Sequence, residues 1–137
     1  MKKLILATIV GYIVLMGTNY LVHGIWLMPD YNAIPASHRT AAEIGHRFWL
    51  MAVGQFLFAA MFAYIYKRGA EDKPWIGQGI RYAIVVTLLT VVPYSLSEYV
   101  VFIIPSHLAM KWMAAGFLQL IILGLVVAGI QQESAAA

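Results

Sequence analysis

The chain has 137 residues, 62% hydrophobic and only 11% charged, with a mean hydropathy of +0.79. A soluble globular chain is about 25% charged, so this one has too little polar material to coat a water-facing surface and is expected to be an all-α integral membrane protein of one domain. The absence of cysteine removes disulfide, thiolate and iron–sulfur chemistry, and a net charge of +3 marks no nucleic-acid surface, so the expected partner is the lipid bilayer.

About 20 apolar residues carry a helix across the hydrocarbon core. Four segments qualify, at about 4–28, 44–66, 80–104 and 107–130, within a single transmembrane domain, 1–130. The expected architecture is a four-helix bundle running up-down-up-down. The first span opens with "MKKLILATIV", which resembles a secretory signal. Its apolar run is too long for one and no A-x-A site follows, so an uncleaved signal-anchor is expected. At about 100° per residue, Thr8, Tyr12, Asn19, His23 and Trp26 fall within about 60° of one another, a polar stripe. Pro29 is expected to stop this span, because proline lacks the N–H that a continuing helix needs.

Ahead of the second span stands "TAAE", Thr40 to Glu43, a capping-box pattern that predicts a helix from near Ala41. Glu43 and Arg47 are then four apart, a favourable helical pair. His38, between "PAS" and "RT", is expected to be a solvated loop residue. In the third span Pro93 should free the carbonyl of Leu89 and kink the helix, and Pro105 should stop it. Thr87, Thr90, Tyr94, Ser97 and Glu98 fall within about 100° of one another by the same arithmetic. The two stripes are expected to face each other or a shared cavity, since an unsatisfied polar atom facing acyl chains costs several kcal/mol.

In the fourth span Gly124 and Ala128, like Ala59 and Ala63 in the second, make small-xxx-small steps that allow close helix approach. Gln55 and Gln119 should hydrogen-bond across the bundle near mid-membrane. The stretches "RFWLMAVGQFLFA" and "MKWMAAGFLQLII" share a basic residue, Trp, Met-Ala, Gly and Gln. Either the two hairpins are duplicated copies, or apolar helices resemble each other by chance. The tail "QQESAAA", 131–137, is expected to be disordered.

Basic residues flank membranes on the inside. Lys2, Lys3, Lys67, Arg68, Lys73 and Arg81 fall on one side, and Arg39, Arg47 and Lys111 on the other. Both termini and the middle loop are therefore expected in the cytoplasm, with the protein multi-pass in a bacterial inner membrane. Trp26, Trp49 and Trp112 then mark the outer interface, and Tyr64, Tyr66, Trp75 and Tyr82 the inner one.

Glu98 is the one acidic or basic residue well inside a span, where a carboxylate costs about 2.5 kcal/mol or more at the bilayer centre. It needs a partner, a raised pKa or water. His23 lies at nearly the same depth and is its expected partner, with Lys111 or Arg47 as others. Asn19, His23, Tyr94, Glu98 and Tyr12 are the candidate ligand-binding or polar-core residues. His23, His46, His107 and Glu98 are the candidate metal ligands, since all four histidines map to the external half and histidine is the commonest metal ligand. No His-x-x-x-His pair sits on one helix. No cofactor is the first expectation, with haem b or a metal as the alternative.

The run from Gly79 to Ile130, with "VHGIWLMPDY" upstream, resembles a family of small bacterial inner-membrane proteins of unknown function. The shared pattern is Gly79, Arg81, Tyr82, Pro93, Tyr99, Pro105, Trp112 and Gly116. The resemblance implies four spans and no assigned activity, so it adds no site residues.

No nucleophile, acid–base pair or metal motif has a catalytic spacing. The expected function is a non-enzymatic bundle: an accessory subunit of a larger membrane complex or homo-oligomer, or a binder of a lipid-like or small ligand at its external end. The alternatives are a haem or metal redox protein using the external histidines, and a small proton-coupled carrier using Glu98. A membrane enzyme acting on a lipid, with Glu98 as the acid, is a further possibility that no spacing singles out.

Overall fold

A computed structural model describes residues 1–37 and 39–132. His38 and the tail from 133 to 137 lie outside the described residues, as do the expectations that fall on them. Every long element is helical: α1 (Lys2–Asn19), a π-helical segment (Tyr20–Trp26), α2 (Met28–Asn32), α3 (Ala41–Gly69), α4 (Trp75–Leu89), α5 (Val91–Val101) and α6 (Ser106–Gln131). These make four helices long and apolar enough to cross a membrane: 2–26, 41–69, 75–101 and 106–131. Each closes its own backbone hydrogen bonds, as a chain in hydrocarbon requires.

Successive spans run antiparallel. Tyr12 on α1 meets Phe56 on α3 edge to face, with ring centroids 5.7 Å apart. Lys3 at the start of α1 donates to the carbonyl of Gln132 just past α6, while Trp26 at the other end of the first span meets Lys111 near the start of α6. The first span packs on the second and fourth, and the fourth packs on the third. The up-down-up-down bundle is therefore present, with α6 at its centre.

Small residues set the closest approach. A Cβ built on Gly79 would stand 2.7 Å from the carbonyl oxygen of Gly124, and one on Gly124 would stand 2.5 Å from that of Gly79. Ala83 and Ala128, one turn further on, complete two facing small-xxx-small steps. Backbone thus lies on backbone between α4 and α6. Below this contact the Tyr82 hydroxyl donates to the Phe62 carbonyl at 2.9 Å, and the Tyr82 ring meets Phe62 edge-on at 4.6 Å.

The helix boundaries follow local chemistry. Thr40 caps α3 with a reciprocal box: Glu43 N–H donates to Thr40 Oγ1 at 3.3 Å, and Thr40 N–H donates to Glu43 Oε2 at 3.0 Å. The expected start at Ala41 holds. The expected Glu43–Arg47 ion pair does not form, because the carboxylate is turned back to the cap and Arg47 donates to the Glu43 backbone carbonyl instead. Pro29 does not end the first span. The chain turns at Leu27, and Pro29 sits in the first turn of α2, where a missing N–H has no helical partner to lose. Pro93 breaks the third span as expected, one turn upstream of itself, at Thr90 between α4 and α5. The third span ends at Val101, three residues short of the expected Ile104.

Of the tyrosines expected at the inner interface, Tyr66 and Tyr82 turn their rings towards the buried cluster. Tyr66 is 5% exposed and meets Tyr82 edge-on.

Candidate functional site

The first span leaves regular α-helix at Asn19. From Tyr20 to Trp26 the backbone closes i to i+5 bonds, and Leu27 N–H continues the pattern to the Val22 carbonyl at 2.8 Å. Such segments are rare and gather at functional sites. Here the wider turn carries His23 and Trp26 to the rim, and the turn at Leu27 then lays α2 across the start of α6.

Asp30, on α2, is the anchor. Its side chain is 14% exposed, and Lys111 Nζ donates to both oxygens, at 3.0 and 2.8 Å. His107, one turn before Lys111, brings Nε2 to 3.3 Å from Asp30 Oδ1. The hydrogen bond from Lys111 holds the Asp30 carboxyl below its usual range, helped by the charges of Lys111 and His107 and opposed by partial burial. Lys111 Nζ also lies 5.8 Å from the Trp26 ring centroid, in cation–π range.

Tyr31, the next residue, joins three elements. The Trp112 indole donates to its hydroxyl at 2.9 Å, and the same oxygen lies 2.6 Å from His23 Nδ1. The His23 and Tyr31 rings stack at 6.1 Å with 7° between planes. An indole N–H only donates, so the tyrosine oxygen accepts from Trp112. Its own proton then donates to a neutral His23 protonated on Nε2, or it accepts a second bond from Nδ1–H. Burial raises the Tyr31 pKa, and the nearby Asp30 charge adds to this, against the opposing bond from Trp112. The hydroxyl stays protonated near neutral pH.

Inward from the rim, Gln119 on α6 is 8% exposed and its amide donates to Thr18 Oγ1 at 3.1 Å and Asn19 Oδ1 at 3.0 Å. Thr18 in turn bonds the Val14 carbonyl. Beside these residues the π segment and α6 form an open apolar groove of about 360 Å³, walled by Leu21, Val22, Leu118 and Ile122.

The expected residues divide accordingly. Asn19 and His23 belong to this end of the bundle, and Gln119 makes the cross-bundle bonds expected of it. Tyr12 packs on Phe56. Glu98 does not meet His23, which is engaged by Tyr31, nor Lys111, which is engaged by Asp30. Glu98 is half-buried on α5 and interacts with Tyr94, one turn earlier and 65% exposed. The polar stripe of the third span does not face the first: Thr87 and Thr90 bond carbonyls of their own helix, at Ala83 and Val86.

His23, His46, His107 and Glu98 are dispersed. Among the described residues, no three His, Asp or Glu side chains gather as a metal site. Sequence reasoning missed Asp30 and Tyr31 as the joints of the rim, since an acidic residue after a proline reads as ordinary loop. No family model, no curated protein and no solved structure matches this chain.

Proposed function

We propose that this chain is a non-enzymatic four-span membrane protein that binds a lipid-like or small apolar ligand at its external end. The carrying observation is the groove beside the π-helical segment: a wholly apolar surface, behind which Thr18 and Gln119 turn their polar atoms to each other, with Trp26 at its edge and Lys111 5.8 Å from that ring. That arrangement suits an amphiphile whose apolar part lies along Leu118 and Ile122 and whose polar end meets the rim. Ligand sites of this kind are concave and mostly apolar with few polar groups. The six-to-three distribution of basic residues supports an inner-membrane placement with both termini in the cytoplasm, in line with the resemblance to small four-span bacterial proteins. A groove-bound chain is also consistent with service as an accessory subunit.

The test is binding. Purified protein should retain an amphiphile on mass spectrometry after delipidation, and Ile122→Trp, which fills the groove, should release it. Retention unchanged in Ile122→Trp, with the fold intact, would remove the reading. Because the chain has no cysteine, single introduced cysteines at Ala33 and Ala70 report sidedness directly, and labelling of Ala70→Cys from outside intact cells would reverse the orientation.

A further inference from the structure

The opposite end of the bundle carries a second concavity, walled by α3 and α4, of about 330 Å³. Its mouth is polar and its depth is apolar, with Ile65 and Val85, 51% and 61% exposed, as the apolar sides. The five-residue connection over the mouth is fastened by one side chain. Gln78 accepts from Glu71 N–H at 2.7 Å and donates to the carbonyls of Glu71 at 2.8 Å and Lys73 at 2.7 Å. The mouth is therefore shaped before anything binds.

Its charges do not cancel. Glu71 is held by Lys73 through a direct ion pair, which together with the charge of Arg81 keeps its carboxyl below the usual range. Arg81 also lines the pocket, yet among the described residues its guanidinium makes no hydrogen bond or ion pair with protein. Asp72, the neighbouring carboxylate, is not part of the lining. One net positive charge is left. Arg81 stands six residues into a span that begins at Trp75, about 9 Å along its axis. A guanidinium at that depth, beside exposed Ile65 and Val85, lies along apolar surface and reaches out to the headgroup level, where lipid phosphates stand.

We propose that this pocket is a binding site for a glycerophospholipid with a net negative headgroup, its phosphate on Arg81 and one acyl chain along Ile65 and Val85. Arginine suits this because its planar fork meets phosphate through two parallel N–H bonds. Basic pockets between helices at the cytoplasmic face commonly take such headgroups, and this end also carries Lys2, Lys3, Lys67 and Arg68. The site is independent of the external groove, which shares no residue with it.

Native mass spectrometry of the full chain, released from detergent with phosphatidylglycerol or phosphatidylcholine at equal concentration, tests it. Phosphatidylglycerol should be retained roughly fivefold over phosphatidylcholine, the worth of one interfacial basic contact. Arg81→Gln should abolish that preference and Arg81→Lys should keep most of it. Lys67→Gln, outside the lining, should leave it unchanged. Val85→Trp, which keeps every charge and blocks the apolar arm, should lower retention of both lipids and stands in should Arg81→Gln fail to fold. Equal retention of the two lipids, or an undiminished preference in Arg81→Gln, overturns the assignment. Full displacement of the lipid by millimolar glycerol 3-phosphate would assign the site to a soluble phosphate and overturn it too; persistence of the lipid supports it.

Discussion

Lys111 grips both carboxylate oxygens of Asp30 across 81 positions of sequence, and this ion pair, beside the Trp112–Tyr31 bond, fastens the short helix after the first span to the start of the fourth. Asp30 has a depressed pKa in the fold. Its contribution to stability is therefore complete above the ordinary carboxylate value of about 3.9 and is lost as pH falls through the lower folded value. Thermal melts in neutral detergent should show wild type losing more stability between pH 5 and pH 2 than Asp30→Asn does. Parallel pH profiles for the two proteins would refute the pairing.

Backbone contact between Gly79 and Gly124 leaves no room for a methyl group. Gly124→Ala should cost about 1–3 kcal/mol, the usual penalty of overpacking. Gly77→Ala, on α4 half a turn from Gly79 but with nothing within 4 Å of its built Cβ, should be neutral or slightly stabilising. Unfolding in detergent compares them, and equal effects at the two positions would show that α4 and α6 do not meet as described.

Gln119 bonds Thr18 and Asn19 together. Contacts of this kind average about 0.6 kcal/mol inside a membrane, so Gln119→Leu should lose about 1 kcal/mol in all. A double-mutant cycle with Asn19→Ala should return a coupling energy of about half that. Zero coupling would mean that the two side chains do not touch.

Pro93 interrupts the third span at Thr90. Pro93→Ala restores a donor for the Leu89 carbonyl and should merge α4 with α5. Spin labels at Val85→Cys and Val100→Cys should then move apart, since a bent path is shorter end to end than a straight one. An unchanged distance would place the cause of the break elsewhere, in the packing of Val91 against Gly116.

Four spans, the Thr40 cap, the break below Pro93 and the close approach at Gly124 and Ala128 were all legible, because each rests on chemistry within a few neighbouring residues. The polar stripes were not. Projecting His23 from Thr8, or Glu98 from Thr87, assumes a constant rotation of about 100° per residue. The π-helical turn from Tyr20 resets that phase in the first span, and the break at Thr90 resets it in the third. The π turn leaves no mark in composition, and Pro93 marks a break without saying by how much the face rotates across it. The candidate site was half legible for the same reason. His23 stood out as a polar residue in an apolar run, while its real neighbours, Asp30 and Tyr31, come from a segment that reads as loop until it folds back on α6.

Gln78 has a consequence for how the chain holds together. It ties the residues joining the second span to the third with three hydrogen bonds, so one side chain holds this five-residue connection in a single shape. Cleaved between Glu71 and Asp72, the halves would have to reassemble through the α1–α6 seam and the Tyr82–Phe62 contact without that tie. Two fragments co-produced in one cell would then have to meet in the membrane before they could pack, and the loss would trace to a turn at the water-exposed end rather than to anything within the hydrocarbon.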